Sequence, residues 1–237
     1  NYINKNNLKK NTIYLINIKI NLRNIYKKIS ESNKFIKKSF DVALNLMASG
    51  VSDKFINGPI TKKNFLKNKY PGITEYIAKR TNSQKFAMLI YNKNISVCPL
   101  TTHIPLKKVS KLITRKLITD KVSLINNFYK KYRNFKPKIA ITGINPHCES
   151  IDKFNEDEKV IKPTVKYLKK LGYRISGPYA ADTVFLKNNR KKFNVILGMY
   201  HDQVLSPLKT IYEFEAVNIT LGLPFLRLSP DHGPNVS

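Results

Sequence analysis

The sequence has few cysteines, few acidic residues and no long apolar run. Two cysteines, Cys98 and Cys148, among 237 residues cannot form a disulfide framework, so we expect a reducing, cytoplasmic compartment. No run of about 18 apolar residues occurs, which predicts that the chain does not span a membrane. The first residues, NYINKNNLKK, lack the apolar core and small-residue cleavage site of a signal peptide.

The glycine-rich motifs that bind nucleotide phosphates are also missing. Neither G-x-G-x-x-G nor G-x-x-x-x-G-K-[ST] is found, so the sequence supports neither a Rossmann fingerprint nor a Walker loop. The chain starts at Asn1 rather than Met and stops at Ser237 without a closing helix. We therefore expect it to be a fragment of a longer protein.

Acidic residues are greatly outnumbered by basic ones. The 43 Lys and Arg against 15 Asp and Glu give a formal net charge of +28, which alone would suggest nucleic acid or an anionic surface as a partner. The basic residues are spread over the whole chain among Asn and Ile, as in proteins from AT-rich genomes, and no RNP-like motif, zinc finger or basic heptad helix occurs. We therefore do not expect nucleic acid as the partner. Attraction of anionic metabolites is a second reading of the charge.

Strand-like and helical patterns alternate along the chain. Strands are predicted at 12–20, 53–58, 86–91, 95–98, 137–144, 193–200 and 216–222. Helices are predicted at 39–50, 71–81 and 155–172, with a helical pattern over 105–135. The inward-facing residues of these helices are predicted to be Val42, Leu46 and Met47 in the first, and Val122, Ile125, Phe128, Tyr129 and Tyr132 in the 105–135 stretch. This alternation predicts an α/β fold with a largely parallel sheet.

Three of the four histidines follow apolar, strand-like runs. His103, His147 and His201 come after ISVCPLTT, KIAITGINP and NVILGMY. Ligands gather at the carboxyl ends of parallel strands, and three neutral imidazoles leave a divalent metal open positions for a substrate oxygen. The pattern predicts a metal site, with hydrogen-bonded structural histidines as the alternative. Zn, Co, Mn or Ni would suit imidazoles, and Mg only with added oxygen ligands.

Basic and amide side chains near the end of the chain are candidates for binding an anion. Lys209 follows the Tyr-His-Asp-Gln segment, and NITLGLPFLR carries Asn218 and Arg227 on either side of a Gly-Leu-Pro turn. Arginine can bind phosphate or carboxylate with two parallel hydrogen bonds, whereas lysine acts as a point charge.

Seven blocks in order resemble one family. They are FINGPITKKNF, YPGITEYIAKRTNS, SVCPLTTHIPLKKVSKLIT, ITGINPHCES, SGPYAADTVF, GMYHDQVLSPLK and VNITLGLPFLRLSPDHG, and they resemble the 4-hydroxythreonine-4-phosphate dehydrogenases of pyridoxal phosphate biosynthesis. The resemblance implies two α/β/α lobes with a cleft, as in isocitrate and isopropylmalate dehydrogenases, and a homodimer with its active site at the interface. Residues 1–60 and 205–237 would belong to one lobe, incomplete at its N-terminus, and residues 61–204 would form the central lobe.

The resemblance also implies roles for particular residues. His103, His147 and His201 fall on the three metal ligands, with His201 expected to reach a metal held by the other two in the partner subunit. Asp182 of the ADT motif falls close to that metal, and we expect Asp182 and Lys209 to be catalytic. The substrate-binding positions implied are Thr74, Lys209, Asn218 and Arg227.

The activity implied by the resemblance is oxidation of a phosphorylated, amino-acid-like substrate by NAD with a divalent metal. 4-Phosphohydroxy-L-threonine would be oxidised at its 3-hydroxyl and then decarboxylated to 3-amino-2-oxopropyl phosphate. Ile73 replaces a histidine that is usual in the family, and the family's N-terminal Gly-Asp-Pro-Ala-Gly-Ile-Gly-Pro-Glu motif is absent. These departures keep open a related dehydrogenase acting on 4-phospho-D-threonate, 4-phosphoerythronate or a cis-dihydrodiol. Other classes are a three-histidine metallohydrolase, a basic nucleic-acid-binding module and an inactive fragment.

Overall fold

The computed structural model shows one mixed sheet of eight strands with helices on both faces. It describes residues 5–19, 29–61, 65–66, 69–151 and 154–233. The strands are β1 (Lys54–Ile56), β2 (Ala87–Tyr91), β3 (Ser96–Thr101), β4 (Ile139–Thr142), β5 (Ile175–Tyr179), β6 (Val195–Tyr200), β7 (Val217–Leu221) and β8 (Leu226–Pro230), in the spatial order β1-β8-β7-β2-β3-β6-β4-β5. The α/β class is confirmed, and the division into two lobes stays a prediction.

Eight α-helices connect or flank the strands in the described part of the chain. They are α1 (Ile29–Ala48), α2 (Ile73–Arg80), α3 (Val109–Leu112), α4 (Arg115–Arg133), α5 (Lys162–Lys170), α6 (Ala181–Val184), α7 (Lys187–Arg190) and α8 (His201–Tyr212). A π-helical turn, Asp157–Ile161, precedes α5, and short 3-10 turns cover Lys5–Asn7, Leu106–Lys108 and Pro146–Cys148. No described helix has the length and apolar character needed to cross a membrane.

The direction of the strands decides where their ends meet. Strands β3, β6, β4 and β5 are neighbours and run parallel, so the carboxyl ends of β3, β6 and β4 lie at one edge of the sheet. Strands β1 and β8 are also parallel, whereas β2 and β7 pair antiparallel with their neighbours. The sheet is therefore more mixed than the largely parallel one predicted.

Alternation along the strands divides the core between the two faces. On one face, Leu89 and Ile141 pack with the stripe of α4 and with α5. On the other, Met88, Ile90 and Ile196 pack against α6 and α8. A third cluster joins α1 and α2 through Phe40 and other aromatic rings. The predicted stripe of α4 is buried except at its end, where Tyr132 is 40% exposed.

Several predicted elements differ from the structure. Residues 12–19 form no strand, and Ile13 and Leu15 are almost fully exposed, because no sheet edge pairs with them; residue 20 lies outside the described residues. The inward residues of α1 are Phe40 and Leu44, while Val42 and Leu46 are only half-buried, so the predicted face is rotated.

One predicted helical stretch is interrupted in the structure, and some elements were not predicted. The helical stretch 105–135 breaks at Ile113, because Thr114 adopts an extended conformation and its side chain caps α4 by accepting a hydrogen bond from the Leu117 N–H at 3.2 Å. The sequence patterns also missed β5, β8 and helix α8, which begins at His201.

Candidate functional site

A row of polar side chains lies on one face of the sheet where β7 and β8 pair. Thr220 is opposite Arg227, and Asn218 is opposite Ser229, so these four side chains share a face. The residues between them, such as Ile219 and Leu228, point to the opposite face and its apolar core. Strand alternation thus places polar groups under a small cavity of about 120 Å³, whose lining includes Thr74, His103, His201, Asn218, Arg227 and Asp231.

Arg227 is a buried cation in this cavity. The residue is only 2% exposed, and its guanidinium donates hydrogen bonds to three neutral acceptors, Asn57 Oδ1 at 2.8 Å, Thr220 Oγ1 at 2.9 Å and Thr74 Oγ1 at 3.4 Å. Among the described residues, no acid forms an ion pair with it. Burial lowers the pKa of Arg227 to about 10, which still leaves it charged at neutral pH. A buried guanidinium held by neutral groups is suited to an anionic ligand.

His103 follows β3 and is held by a carboxylate from α2. Glu75 Oε1 lies 3.6 Å from His103 Nδ1 and accepts a hydrogen bond from Thr102 Oγ1 at 3.0 Å. Gly72, just before α2, allows this approach, because a Cβ there would lie 2.6 Å from Glu75 Oε2 and 3.0 Å from the His103 ring. Burial alone would raise the pKa of Glu75, but the His103 ring and Thr102 together hold it below its usual value.

His201 is the first residue of α8, directly after β6. Its Nδ1 lies 2.7 Å from Asp202 Oδ1, and its ring centroid is 5.7 Å from that of His103. Each of the two imidazoles therefore has a carboxylate at Nδ1, which leaves Nε2 available to a ligand. Carboxylates in this position orient metal-binding histidines and raise their basicity.

These two imidazoles fit a divalent metal, but the described chain supplies only two of the three expected ligands together. No group of three His, Cys, Asp or Glu side chains in the described ranges is close enough to hold an ion. His147 follows β4 at the same sheet edge, but it lies exposed on the turn Pro146–Cys148 and does not line the cavity. Asp182, at the start of α6, is likewise exposed and outside the cavity.

The turn that carries His147 is fixed by a buried acid. Asp157 accepts hydrogen bonds from the backbone N–H groups of Ile144 and Asn145 at 2.9 and 3.1 Å and from the Asn145 side chain at 3.0 Å. At Gly143 a Cβ would lie 2.6 Å from Asp157 Oδ1 and 2.7 Å from the sulfur of Cys148. Glycine is therefore needed for the chain to pass this carboxylate.

Gln203, in the polar segment that follows β6, forms hydrogen bonds with the backbone and side chains at the ends of two strands. Its side chain accepts hydrogen bonds from Thr142 Oγ1 at 2.8 Å and the Met199 N–H at 2.7 Å, and it donates to the Gly143 carbonyl at 2.8 Å. It thus ties the ends of β4 and β6 together. This amide fixes the site and does not face the cavity.

Lys209 does not line the cavity, but it forms an ion pair with Asp231, which does. Its Nζ lies 2.7 Å from Asp231 Oδ2, and the Asp231 side chain is 1% exposed. Within the described part of the chain, three acceptor oxygens around the site are buried without a hydrogen-bond partner: Glu75 Oε2, Asn218 Oδ1 and Asp231 Oδ1.

Sequence reasoning missed Glu75 and Asp231, although both lie within the motif blocks quoted. Their spacing gave no signal, because each acts on a partner distant in sequence or on the backbone. Of the predicted residues, the structure brings Thr74, His103, His201, Asn218 and Arg227 to one cavity, places Lys209 behind it, and leaves His147 and Asp182 outside.

Comparisons with known proteins point to one family. Residues 2–236 match the family model described as "Pyridoxal phosphate biosynthetic protein PdxA". The chain is 41% identical over 236 residues to a 4-hydroxythreonine-4-phosphate dehydrogenase of Sulfurihydrogenibium sp. (strain YO3AOP1), covering 96% of this chain and 71% of the relative. It is 38% identical over 165 residues to a D-threonate 4-phosphate dehydrogenase of Pectobacterium atrosepticum, covering 69% of this chain and 51% of the relative.

The fold is similar to a solved structure of the same family. The crystal structure of 4-hydroxythreonine-4-phosphate dehydrogenase from Klebsiella pneumoniae superposes with a TM-score of 0.75 at 30% identity. That match covers 86% of this chain and 64% of the crystal structure's chain. The chain thus spans about half to about seven tenths of the length of the relatives it matches.

Proposed function

The chain belongs to the family described as Pyridoxal phosphate biosynthetic protein PdxA, whose named relatives are dehydrogenases, and on this basis we propose that it oxidises 4-phosphohydroxy-L-threonine. The observation that carries the proposal is Arg227, a buried cation with neutral partners in the same cavity as His103 and His201. A phosphorylated hydroxy acid supplies both the anion for the guanidinium and an oxygen for the imidazole pair.

The polar row under the cavity would bind and orient this substrate. Arg227 binds the phosphate or the carboxylate, and Thr74, which already accepts a hydrogen bond from Arg227, lies beside that anion. Asn57 and Thr220 hold the guanidinium in place, so little ordering is needed on binding. The apolar lining residues Met88 and Ile90 keep water from the anion and strengthen its attraction to Arg227.

A divalent metal and NAD complete the proposed chemistry. His103 and His201 would hold the metal, together with His147, and Zn, Co, Mn or Mg are the candidates. When bound, such an ion polarises the substrate's 3-hydroxyl and lowers its pKa. NAD would accept the hydride from carbon 3. Glu75 and Asp202 keep the imidazoles oriented while this happens.

The reaction needs a proton carrier as well as an anion site. Oxidation releases the hydroxyl proton as the hydride leaves. Loss of carbon dioxide would then move the electron pair of the broken carbon–carbon bond towards the new ketone oxygen, and the resulting enolate would take up a proton at carbon 2 to restore the ketone. The product would be 3-amino-2-oxopropyl phosphate. Lys209 is the nearer of the two predicted catalytic residues, because it contacts Asp231, which lines the cavity, whereas Asp182 does not.

A second substrate has an observation in its favour. Ile73 is apolar, 7% exposed and lines the cavity, where the family's usual pattern has an imidazole. The similarity to a relative named D-threonate 4-phosphate dehydrogenase points in the same direction. The second candidate is therefore oxidation of 4-phospho-D-threonate at the same site.

The test is NADH formation by the purified protein with a divalent metal and 4-phosphohydroxy-L-threonine. The assay is repeated with EDTA and with 4-phospho-D-threonate. We expect metal-dependent turnover of the first compound. Turnover of the second compound alone would favour the sister activity, NADH formation unaffected by EDTA would contradict the metal, and no turnover of either would overturn the dehydrogenase proposal.

Two further properties are proposed with this function. We propose a homodimer with the site at its interface, because His147 lies outside the cavity of its own chain. We also propose a cytoplasmic location, since Cys98 and Cys148 are free and buried and suit a reducing compartment.

A further inference from the structure

Two buried oxygen atoms of the cavity have no hydrogen-bond donor within the described part of the chain. They are Asn218 Oδ1 and Asp231 Oδ1, and both residues line the cavity. A buried acceptor left without a donor is unfavourable, because it has lost its hydrogen bonds to water without gaining others. A ligand that presents donors to both oxygens would recover this free energy, so these atoms indicate which chemical groups the cavity selects.

The two oxygens belong to side chains that line the same cavity. Asn218 in β7 is opposite Ser229 in β8, and Asp231 is two residues beyond Ser229, just past the end of that strand. The cavity is small, about 120 Å³, so the side chains that line it lie close to the same ligand group. A single ligand group between them can therefore contact both oxygens.

Asp231 is held in place by its other oxygen. Lys209 Nζ lies 2.7 Å from Asp231 Oδ2, and this pair leaves Oδ1 as the free acceptor of a side chain that is 1% exposed. The lysine balances the carboxylate charge. Arg227, two residues before Ser229 in the same row, forms no ion pair with an acid among the described residues.

We propose that Asp231 and Asn218 form an acceptor subsite for the ammonium group of an amino-acid-like substrate whose anionic group lies on Arg227. An ammonium carries three N–H donors and can satisfy both oxygens, whereas a hydroxyl carries one donor and leaves one oxygen unpaired. The inference rests on the proposed function and deepens it: the site selects the 2-amino compound, 4-phosphohydroxy-L-threonine, over the 2-hydroxy compound, 4-phospho-D-threonate.

The test compares the binding of these two compounds by titration calorimetry in wild type, Asp231→Asn and a control. Asp231→Asn keeps the shape of the side chain and removes its charge. We expect about a tenfold or greater loss of affinity for the 2-amino compound, since a hydrogen bond to a charged group is worth about 1.5–3 kcal/mol. The 2-hydroxy compound should lose roughly threefold or less. The control is Asp120→Asn, which breaks ion pairs with Lys85 and Lys116 away from the cavity and should change neither affinity.

The outcomes separate this inference from the proposed function. Equal losses for both compounds would mean that Asp231 only positions Lys209, and unchanged affinities would mean that Asp231 contacts neither compound; either result overturns the subsite. Absence of binding of both compounds to wild type would also overturn it. NADH formation is measured on the same samples, so a wild type that binds the amine through Asp231 without turnover refutes the dehydrogenase proposal alone.

A second variant covers the case in which Asp231→Asn does not fold, as judged by circular dichroism. Asn218→Ala removes the other acceptor and leaves the Lys209–Asp231 pair intact. It should weaken binding of the 2-amino compound more than binding of the 2-hydroxy compound. An equal effect on both would overturn the subsite.

Discussion

At the scale of single residues, Arg227 combines burial with a fixed set of partners. Its side chain uses three neutral acceptors for orientation and has no acid partner in the described ranges, so its charge is available to a ligand. A lysine at this position would keep the charge but lose the planar group that can form two parallel hydrogen bonds.

Arg227→Lys should therefore raise KM for the phosphorylated substrate by about 10- to 100-fold, the effect of losing one charge-assisted hydrogen bond. The measurement is steady-state NADH formation over a range of substrate concentrations. Arg190→Lys is the matched control, since Arg190 donates to the carbonyl of Phe185 outside the cavity. A KM that rises equally in both variants would contradict the role of Arg227.

Glu75 provides a prediction about pH. Its pKa in the folded protein is below the ordinary value of 4.5, because the contacts with His103 and Thr102 outweigh burial. Because the pKa of Glu75 is lower in the folded protein than in the unfolded chain, the ionised carboxylate stabilises the fold at pH values above the unfolded-state pKa. This stabilisation is lost as the pH falls through the folded-state pKa.

Glu75→Gln should therefore lose less stability than wild type on acidification from neutral pH to below 4.5. The measurement is the free energy of unfolding in urea at a series of pH values. Glu158→Gln is the control, because Glu158 is an exposed partner of Lys162 and surface ion pairs contribute little. Parallel curves for Glu75→Gln and wild type would show that the carboxylate is not linked to folding.

The sequence predicted more of the residues that line the cavity than of the carboxylates that hold other side chains in place. Thr74, Asn218 and Arg227 lie within family-like blocks, and the structure brings them together. Glu75 and Asp231 lie in the same blocks, but their positions depend on which strand and helix they meet in three dimensions. A motif gives residue types in order, whereas a carboxylate that supports an imidazole is recognised only from distances.

At the scale of elements, apolar runs predicted strands β2, β4, β6 and β7 to within about two residues of the observed bounds, whereas the strand predicted at 95–98 covers only the first part of the observed β3, Ser96–Thr101. The patterns failed at short or polar segments, because β5 contains Gly177 and Pro178, which are turn signals, and β8 contains Arg227 and Ser229, which face the cavity. The segment 12–19 has the alternation of a strand but no neighbouring edge to pair with. Tertiary partners decide such cases.

The turn between β4 and the π-helical segment has no room for a side chain at Gly143. Gly143→Ala would push a Cβ against Asp157 Oδ1 and the Cys148 sulfur, so the turn carrying His147 must shift. We expect a loss of about 1–3 kcal/mol in the free energy of unfolding, as for other overpacked sites. Weaker metal retention should accompany it, measured as the metal content of the dialysed protein.

Gly58→Ala is the control for stability, because a Cβ at Gly58 meets no atom within 4 Å. If Gly143→Ala leaves both stability and metal content at wild-type values, the turn tolerates the shift and Asp157 does not fix His147. If stability falls but metal is retained, the turn is structural only.

At the scale of the whole molecule, the net charge of +28 accompanies a single buried cation in the cavity that has no acid partner among the described residues. A nucleic-acid-binding module would use exposed basic residues, and its affinity would fall steeply with salt and ignore a chelator. The family match instead assigns the chain to metabolic dehydrogenases. Composition alone could not make this distinction, because it does not say which charges are buried.

We predict that the three histidines come together from two subunits of the dimer. In one chain, His103 and His201 are neighbours, and His147 is outside the cavity. If the proposed dimer completes the site, His147→Ala and His201→Ala, each inactive alone, should regain activity when mixed and allowed to exchange subunits. One of the two sites in each mixed dimer then has all three imidazoles.

Mixing His103→Ala with His201→Ala identifies the residue that crosses the interface. His103 and His201 are neighbours within one chain, which favours His147 as the residue that reaches the partner's site. In that case each site of the mixed dimer lacks one imidazole, and activity stays absent. If His201 crosses, as the family resemblance implies, one site is complete and activity returns. The measurement is metal-dependent NADH formation after mixing, with each variant alone as the control. No recovery in either mixture, with subunit exchange verified by mass spectrometry, would show that the site does not join histidines from two subunits.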